Sequence, residues 1–220
     1  TVVDHGNVVK SAGDYWGVYY CSDIYSDGYC FLRPRNVNDL TYVNYCQPWA
    51  DDGIVKVSSI YWRTESLGSH AYFLRSANLS DLSELSYADV SNVTRIRGLV
   101  YYNMASDIDL SPLATWDTSN VTDMSELLGY CSKITSLRGL NTWNVSKVTN
   151  FSTAFLGMTS LSDITALNGW NVSSAVNMTS MFQSCGSISN LEPLANWNPK
   201  NVTSMNSIFR ACSGVTSLHG

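Results

Sequence analysis

Six cysteines, three histidines and a few neighbouring carboxylates are the side chains of this sequence that could carry chemistry. His5, His70 and His219 share no motif with a nucleophile and an acid, so nothing recommends a Ser-His-Asp site. Asp107 with Asp109, and Asp51 with Asp52, could attract calcium. Neither pair shows the alternating ligand loop of a recognised site, and solvated loop carboxylates are the better reading. Cys21, Cys30 and Cys46 fall in a Tyr-rich segment where one disulfide is expected. Cys21–Cys30 is favoured by the hairpin they would share, one thiol is left over, and the connectivity stays open. Zinc is the weaker reading, because no CxxC pair or nearby histidine supports it. We therefore expect no catalytic residue, no metal and no cofactor, and a chain that is not an enzyme.

The other three cysteines belong to a larger pattern. Trp116, Trp143, Trp170 and Trp197 recur every 27 residues. The columns behind them agree: Val121, Val148, Ala175, Val202; then Met124, Phe151, Met178, Met205; then Leu128, Phe155, Phe182, Phe209. Cys131, Met158, Cys185 and Cys212 share the next column, and Ile134, Leu161, Ile188, Val215 and Leu137, Ile164, Leu191, Leu218 complete it. A position that accepts Met is a buried apolar slot, so these cysteines read as structural thiols. Cys131 and Cys185 lie two coils apart, beyond the ~7 Å Cα reach of a disulfide.

The elements that must position these columns follow from the repeat. Met124, Leu127, Leu128 and Cys131 stand at i, i+3, i+4 and i+7, which predicts one or two helical turns, with Thr122, Thr149 and Thr203 as N-caps. Ile134-Thr135-Ser136-Leu137 reads as a short strand pairing in parallel with its equivalents in neighbouring coils. Stacking would lay Trp on Trp, Phe on Phe and Leu on Leu. A degraded copy at Asp89 to Thr94 reads as the terminal repeat that caps the array. The last coil reaches Gly220 four residues short of the next expected Trp, and we expect the natural protein to continue. The fold expected is an α/β solenoid of leucine-rich-repeat-like parallel coils, with short helices and short parallel strands, over residues 76–220.

The segments W-N-V-S-K-V-T-N-F and N-M-T-S-M-F-Q-S-C, followed by L-x-P-L-x-N-W, resemble the repeats of BspA-type leucine-rich-repeat surface proteins. That family carries them as W-D-x-S-N-V-T-x-M-x-x-M-F-x-x-C-x-x-L-x-x-L. The resemblance covers roughly residues 79–220. It implies an extracellular domain of the kind used for adhesion to host or matrix proteins.

Residues 1–75 differ in character, holding nine of the 13 tyrosines and no 27-residue beat. Tyr15–Cys21 and Tyr29–Arg33 read as two strands around an Asp27-Gly28 turn, and Val55–Trp62 as a third, giving a small β-rich module that caps the solenoid. Overall, 45% of residues are hydrophobic and 14% charged, with Ser, Thr and Asn carrying the polar surface, a balance common in secreted and cell-surface proteins. A net charge of −5 without a basic cluster excludes the electrostatic footprint of a nucleic-acid or anionic-lipid binder. No apolar run approaches the ~20 residues of a membrane-spanning helix. Eight Asn-x-Ser/Thr sequons, Asn92, Asn120, Asn144 and Asn201 among them, fall mostly inside the repeat, where Asn and Thr have turn roles.

If the array binds a partner, its strand face offers Thr135, Ser136, Ser162, Asp163, Ser189, Asn190, Thr216 and Ser217. All are small and polar, so plain solvated surface is an equal reading. Exposed tyrosines of residues 1–75 are a competing site. The first expectation is an extracellular or cell-surface module binding protein or glycan. The alternative is a structural subunit of an extracellular filament or surface layer, binding copies of itself, with residues 1–13 complementing a neighbour's sheet edge.

Overall fold

A computed structural model describes the backbone of residues 19–24, 29–34, 56–58 and 74–75, and then residues 82–87, 90–91, 93–106 and 108–217. Three strands lie in the first third: β1 (Tyr19–Ile24), β2 (Tyr29–Pro34) and β3 (Lys56–Ser58). β1 runs antiparallel to β2, and β3 joins β2 in parallel. The β1–β2 register shifts between Cys21 and Ile24, so Cys21 stands opposite Leu32 and Cys30 opposite Ile24. The side chains of the Cys21–Cys30 pair, together with Cys46, the three histidines, Asp51, Asp52, Asp107 and residues 1–13, lie outside the described residues.

From residue 94 onward the chain winds in successive coils hydrogen-bonded to one another. Met124, Glu126, Leu128 and Tyr130 donate their N–H groups to the carbonyls of Asn150, Ser152, Ala154 and Leu156, at 2.9, 3.0, 2.8 and 2.6 Å. The next coil repeats this, with Phe151, Thr153, Phe155 and Gly157 donating to Asn177, Thr179, Met181 and Gln183. Met178, Ser180, Phe182 and Ser184 then donate to Ser204, Asn206, Ile208 and Arg210. The same ladder begins at parallel bridges linking Arg95, Asp123, Asn150, Asn177 and Ser204, completed by bonds such as Asn150 N–H to the Thr122 carbonyl. On the upstream side, β4 (Leu74–Arg75) pairs in parallel with β5 (Val100–Tyr101), one coil earlier.

These bonds explain a difference from the expected helical turns. An α-helix would direct each N–H to the carbonyl four residues back. Here every second N–H of 124–130 points to the next coil instead. The chain kinks through left-handed residues at two positions per coil: Gly98, Glu126, Thr153, Ser180 and Ser207 in one column, Tyr102, Tyr130, Gly157, Ser184 and Ala211 in the other. Two such kinks turn Met124, Leu127, Leu128 and Cys131 all inward, which is the burial pattern of a helix without its geometry. Thr122, Thr149 and Thr203 do not cap helices. Their hydroxyls bond the preceding coil, at the carbonyls of Thr94, Thr122 and Val176. The Ile134–Leu137 segment makes one parallel bridge, Ser136 with Asp163.

The helical elements described in the coils are 3₁₀ turns at Ser83–Tyr87, Ser111–Thr115, Thr165–Leu167 and Glu192–Leu194, each just before or within reach of a Trp. Each indole closes its coil against the one before. Trp116, Trp143, Trp170 and Trp197 donate Nε1–H to the carbonyls of Leu85, Leu113, Leu140 and Leu167 at 2.7–3.0 Å. A buried indole thus keeps its one donor satisfied while burying a large apolar surface. Trp116 stacks on Trp143, but Trp170 leans on Phe151 and Phe155, and the rings of Phe155, Phe182 and Phe209 stack at 5.4 and 5.6 Å. The core is this continuous row of columns, fully buried through Ile188; Trp197, Val202, Ile208, Phe209 and Val215 are only partly covered.

Candidate functional site

The coils present two surfaces, the strand face and the left-handed columns. On the strand face Thr135, Ser162, Ser189, Asn190, Thr216 and Ser217 are exposed, and Ser136 and Asp163 half-buried. The polar groups of Ser136, Ser162, Asp163 and Asn190 serve the chain itself. Asp109, Ser136, Asp163 and Asn190 form one column, and each accepts the N–H two residues on, from Ser111, Arg138, Thr165 and Glu192. Such Asx and Ser turns satisfy backbone donors that no neighbouring coil reaches. Asp163 also accepts the Thr165 and Ser136 hydroxyls, at 2.6 and 2.8 Å. The bonds from Thr165, then that from Ser136, hold the Asp163 carboxyl below its ordinary pKa despite partial burial. Asp109 is lowered in the same way by the Ser111 hydroxyl and N–H.

The same device recurs at two further columns. Asp117, Asn144 and Asn171 accept from Ser119, Ser146 and Ser173, while Asp123, Asn150 and Asn177 accept from Ser125, Ser152 and Thr179. Sequon asparagines are drawn into this scaffold. The amides of Asn120 and Asn201 donate to the carbonyls of Ser91 and Ser173 in the preceding coil. A shallow groove of about 480 Å³ between the Thr165–Leu167 and Glu192–Leu194 turns is lined by Asn168, Asn190, Glu192 and Asn196. It contains no aromatic side chain.

The left-handed column that holds Tyr102 and Tyr130 is different. Tyr101 meets Tyr130 edge-on at 5.7 Å, and Tyr102 lies 5.7 Å from Tyr130 and 6.4 Å from Tyr101. Tyr102 is 52% exposed, Tyr130 38% and the adjacent Met104 47%, the largest aromatic exposure in the described coils. Two glycines seat the rings. A Cβ at Gly129 would stand 2.8 Å from Tyr101 Cε2, and one at Gly157 would stand 2.7 Å from Tyr130 Cδ1. Met104 is tied to the next coil by the Ser132 hydroxyl, 3.3 Å from its sulfur. The sequence reading passed over this cluster. Its signal was present, since Tyr102 and Tyr130 fill a repeat position held elsewhere by Gly157, Ser184 and Ala211.

The family described as "Mycoplasma protein of unknown function, DUF285" matches residues 67–166 and again residues 130–218. Together these matches run from 67 to 218, well over half of the chain. The chain belongs to the DUF285 family. No curated protein and no solved structure matches the chain. The DUF285 match takes in β4, the Tyr101–Tyr130 cluster and every Trp coil.

Within the DUF285 coils the cysteines are inert in character. Cys131, Cys185 and Cys212 are free and buried, with their sulfurs 2.9–3.2 Å from the carbonyls of Val100, Phe155 and Phe182 in the preceding coil. Burial pushes the Cys131 and Cys185 thiols up to about 12, and Cys212 upward as well. Among the described residues no group of His, Cys, Asp and Glu side chains could hold a metal ion. Among them, too, no helix is long and apolar enough to cross a membrane.

Proposed function

We propose that this DUF285 chain is an extracellular or cell-surface interaction module, a leucine-rich-repeat-like solenoid that presents a fixed surface to a protein or glycan. The observation that carries this reading is the Tyr101–Tyr102–Tyr130 cluster, where two exposed rings and a half-buried one gather on adjacent coils beside the exposed Met104. Among the described residues the other exposed large apolar ones, Val176 and Met205, have no aromatic neighbour at the surface. Tyrosine supplies contact area at low entropic cost, and rings already seated against glycine backbone lose little further freedom on binding. The Ser, Thr and Asn positions of the strand face are the weaker surface, because their acceptors are engaged in turns. The low charge and the Ser/Thr/Asn-rich surface support an extracellular or cell-surface setting.

Light scattering at rising concentration, paired with a binding screen on the same material, tests this. A monomer that captures a ligand is the expected result. Ordered polymers that capture nothing would replace this reading with that of a structural subunit.

A further inference from the structure

The tyrosine cluster carries a more specific reading, which rests on the interaction-module proposal. We propose that Tyr101, Tyr102 and Tyr130 form a stacking platform for an extended glycan.

The first reason is size. An aromatic side chain offers about 150–250 Å², so the exposed parts of Tyr102 and Tyr130 amount to roughly 200 Å². A stable protein–protein interface needs about 800 Å² from each partner. The faces of one or two sugar rings fit the smaller figure.

Shape is the second. Tyr102 and Tyr130 stand on adjacent coils, with ring centroids 5.7 Å apart and ring planes inclined by 50°. That step is close to the advance of one sugar along an extended chain, and the inclination suits a chain that twists from one sugar to the next. Successive sugars can therefore meet successive rings.

The third reason is charge. A hexose presents a face of C–H bonds with partial positive charge, which suits the negative face of an aromatic ring. Phenol hydroxyls add hydrogen bonding to the sugar's own hydroxyls.

Finally, the position is informative. At Tyr102 and Tyr130 the backbone is left-handed, with φ of 59° at both, where glycine is the least strained residue. Gly157, Ser184 and Ala211 show that the coil needs no ring there. Ser184 and Ala211 share the same left-handed backbone, so it is the large exposed ring, not the strain, that points to a role outside the fold.

The test is calorimetric titration of the whole chain with cellohexaose, chitohexaose, laminarihexaose and mannohexaose. The parent should bind at least one of them. The Tyr102→Ser/Tyr130→Ser double variant should bind about tenfold more weakly or worse, with its denaturation curve showing that it is folded. Tyr130→Phe, which keeps the ring, should retain most of the affinity, and Asn196→Ala in the Asn-rich groove should retain all of it. Binding that ignores both tyrosines overturns the platform. Binding to none of the four sugars, with a purified protein ligand still captured, overturns the glycan reading and leaves the interaction module standing. Binding to neither, with ordered self-assembly, overturns both.

Discussion

Two stretches of the same left-handed column make an instructive pair. In the upstream coils it carries Tyr102 and Tyr130; in the downstream coils it carries Gly157, Ser184 and Ala211. The backbone is alike in both, since each of these residues donates its N–H to the following coil wherever that coil is described. Downstream only Gly157 escapes the penalty of positive φ, while Ser184 and Ala211 carry it with small side chains. Upstream it accepts the strain of a tyrosine and leaves much of the ring in water. The lesson is that the repeat sets the backbone and its strain, and a large exposed ring where a small side chain suffices is what points beyond the fold.

The comparison implies that removing inward residues should be costly and removing surface residues should not. The largest effect is expected at Trp170, which is buried, donates to the Leu140 carbonyl at 3.0 Å and packs on Phe151 and Phe155. Trp170→Ala should lower unfolding free energy by about 3–5 kcal/mol in chemical denaturation. A loss below about 1 kcal/mol would mean that the Trp column does not hold the coils together.

Next is Gly139, with φ of 112° and a hypothetical Cβ only 2.1 Å from the Leu110 carbonyl oxygen of the coil before. Gly139→Ala should cost about 2–4 kcal/mol, because both the backbone and the inter-coil spacing must give. Denaturation of the Ala variant checks this, and an unchanged midpoint would deny the close approach.

A smaller effect of opposite sign is expected at Thr153, a β-branched residue at φ 55°. Thr153→Gly should stabilise the chain by up to about 1 kcal/mol, the relief of left-handed strain outweighing glycine's greater freedom when unfolded. Destabilisation would show that the Thr153 side chain makes contacts worth more than the strain.

The smallest effect concerns pH. Bonds from Thr165 and Ser136 lower the folded-state pKa of Asp163 below that of the unfolded chain. Its contribution is therefore fully present above the ordinary carboxylate value and is lost as pH falls through the lowered one. Asp109, lowered by Ser111, acts in the same window and sense. Acid titration of stability should show a shallower fall for Asp163→Asn than for the parent. A steeper fall would reverse the assignment.

What could be read from the residues is which positions of each coil are buried. The 27-residue beat marks the buried columns because Trp, Phe, Leu and Cys must all face the core at the same point of each coil. The spacing Met124, Leu127, Leu128, Cys131 was ambiguous for a physical reason. A helix and a doubly kinked turn bury the same positions, and only the direction of the N–H groups separates them. Left-handed φ at Glu126, Tyr130 and Ser180 leaves no compositional mark, since these are not the glycines that usually announce it. Asx turns at Asp109, Asp163 and Asn190 were hidden because Asp, Ser and Asn look equally suited to a solvated face. As for the tyrosines, the columns align them, but exposure depends on how Gly129 and Gly157 seat the rings, which only the coil-to-coil contact reveals.

The most direct test of the claim that the upstream tyrosines serve something other than the fold needs no ligand. It is the chemical denaturation of Tyr102→Ser, which places at this position the residue found at Ser184. The account predicts a change within about 1 kcal/mol of the parent, far from the loss expected for Trp170→Ala. A loss of about 3 kcal/mol or more would make the tyrosine part of the core and contradict the claim.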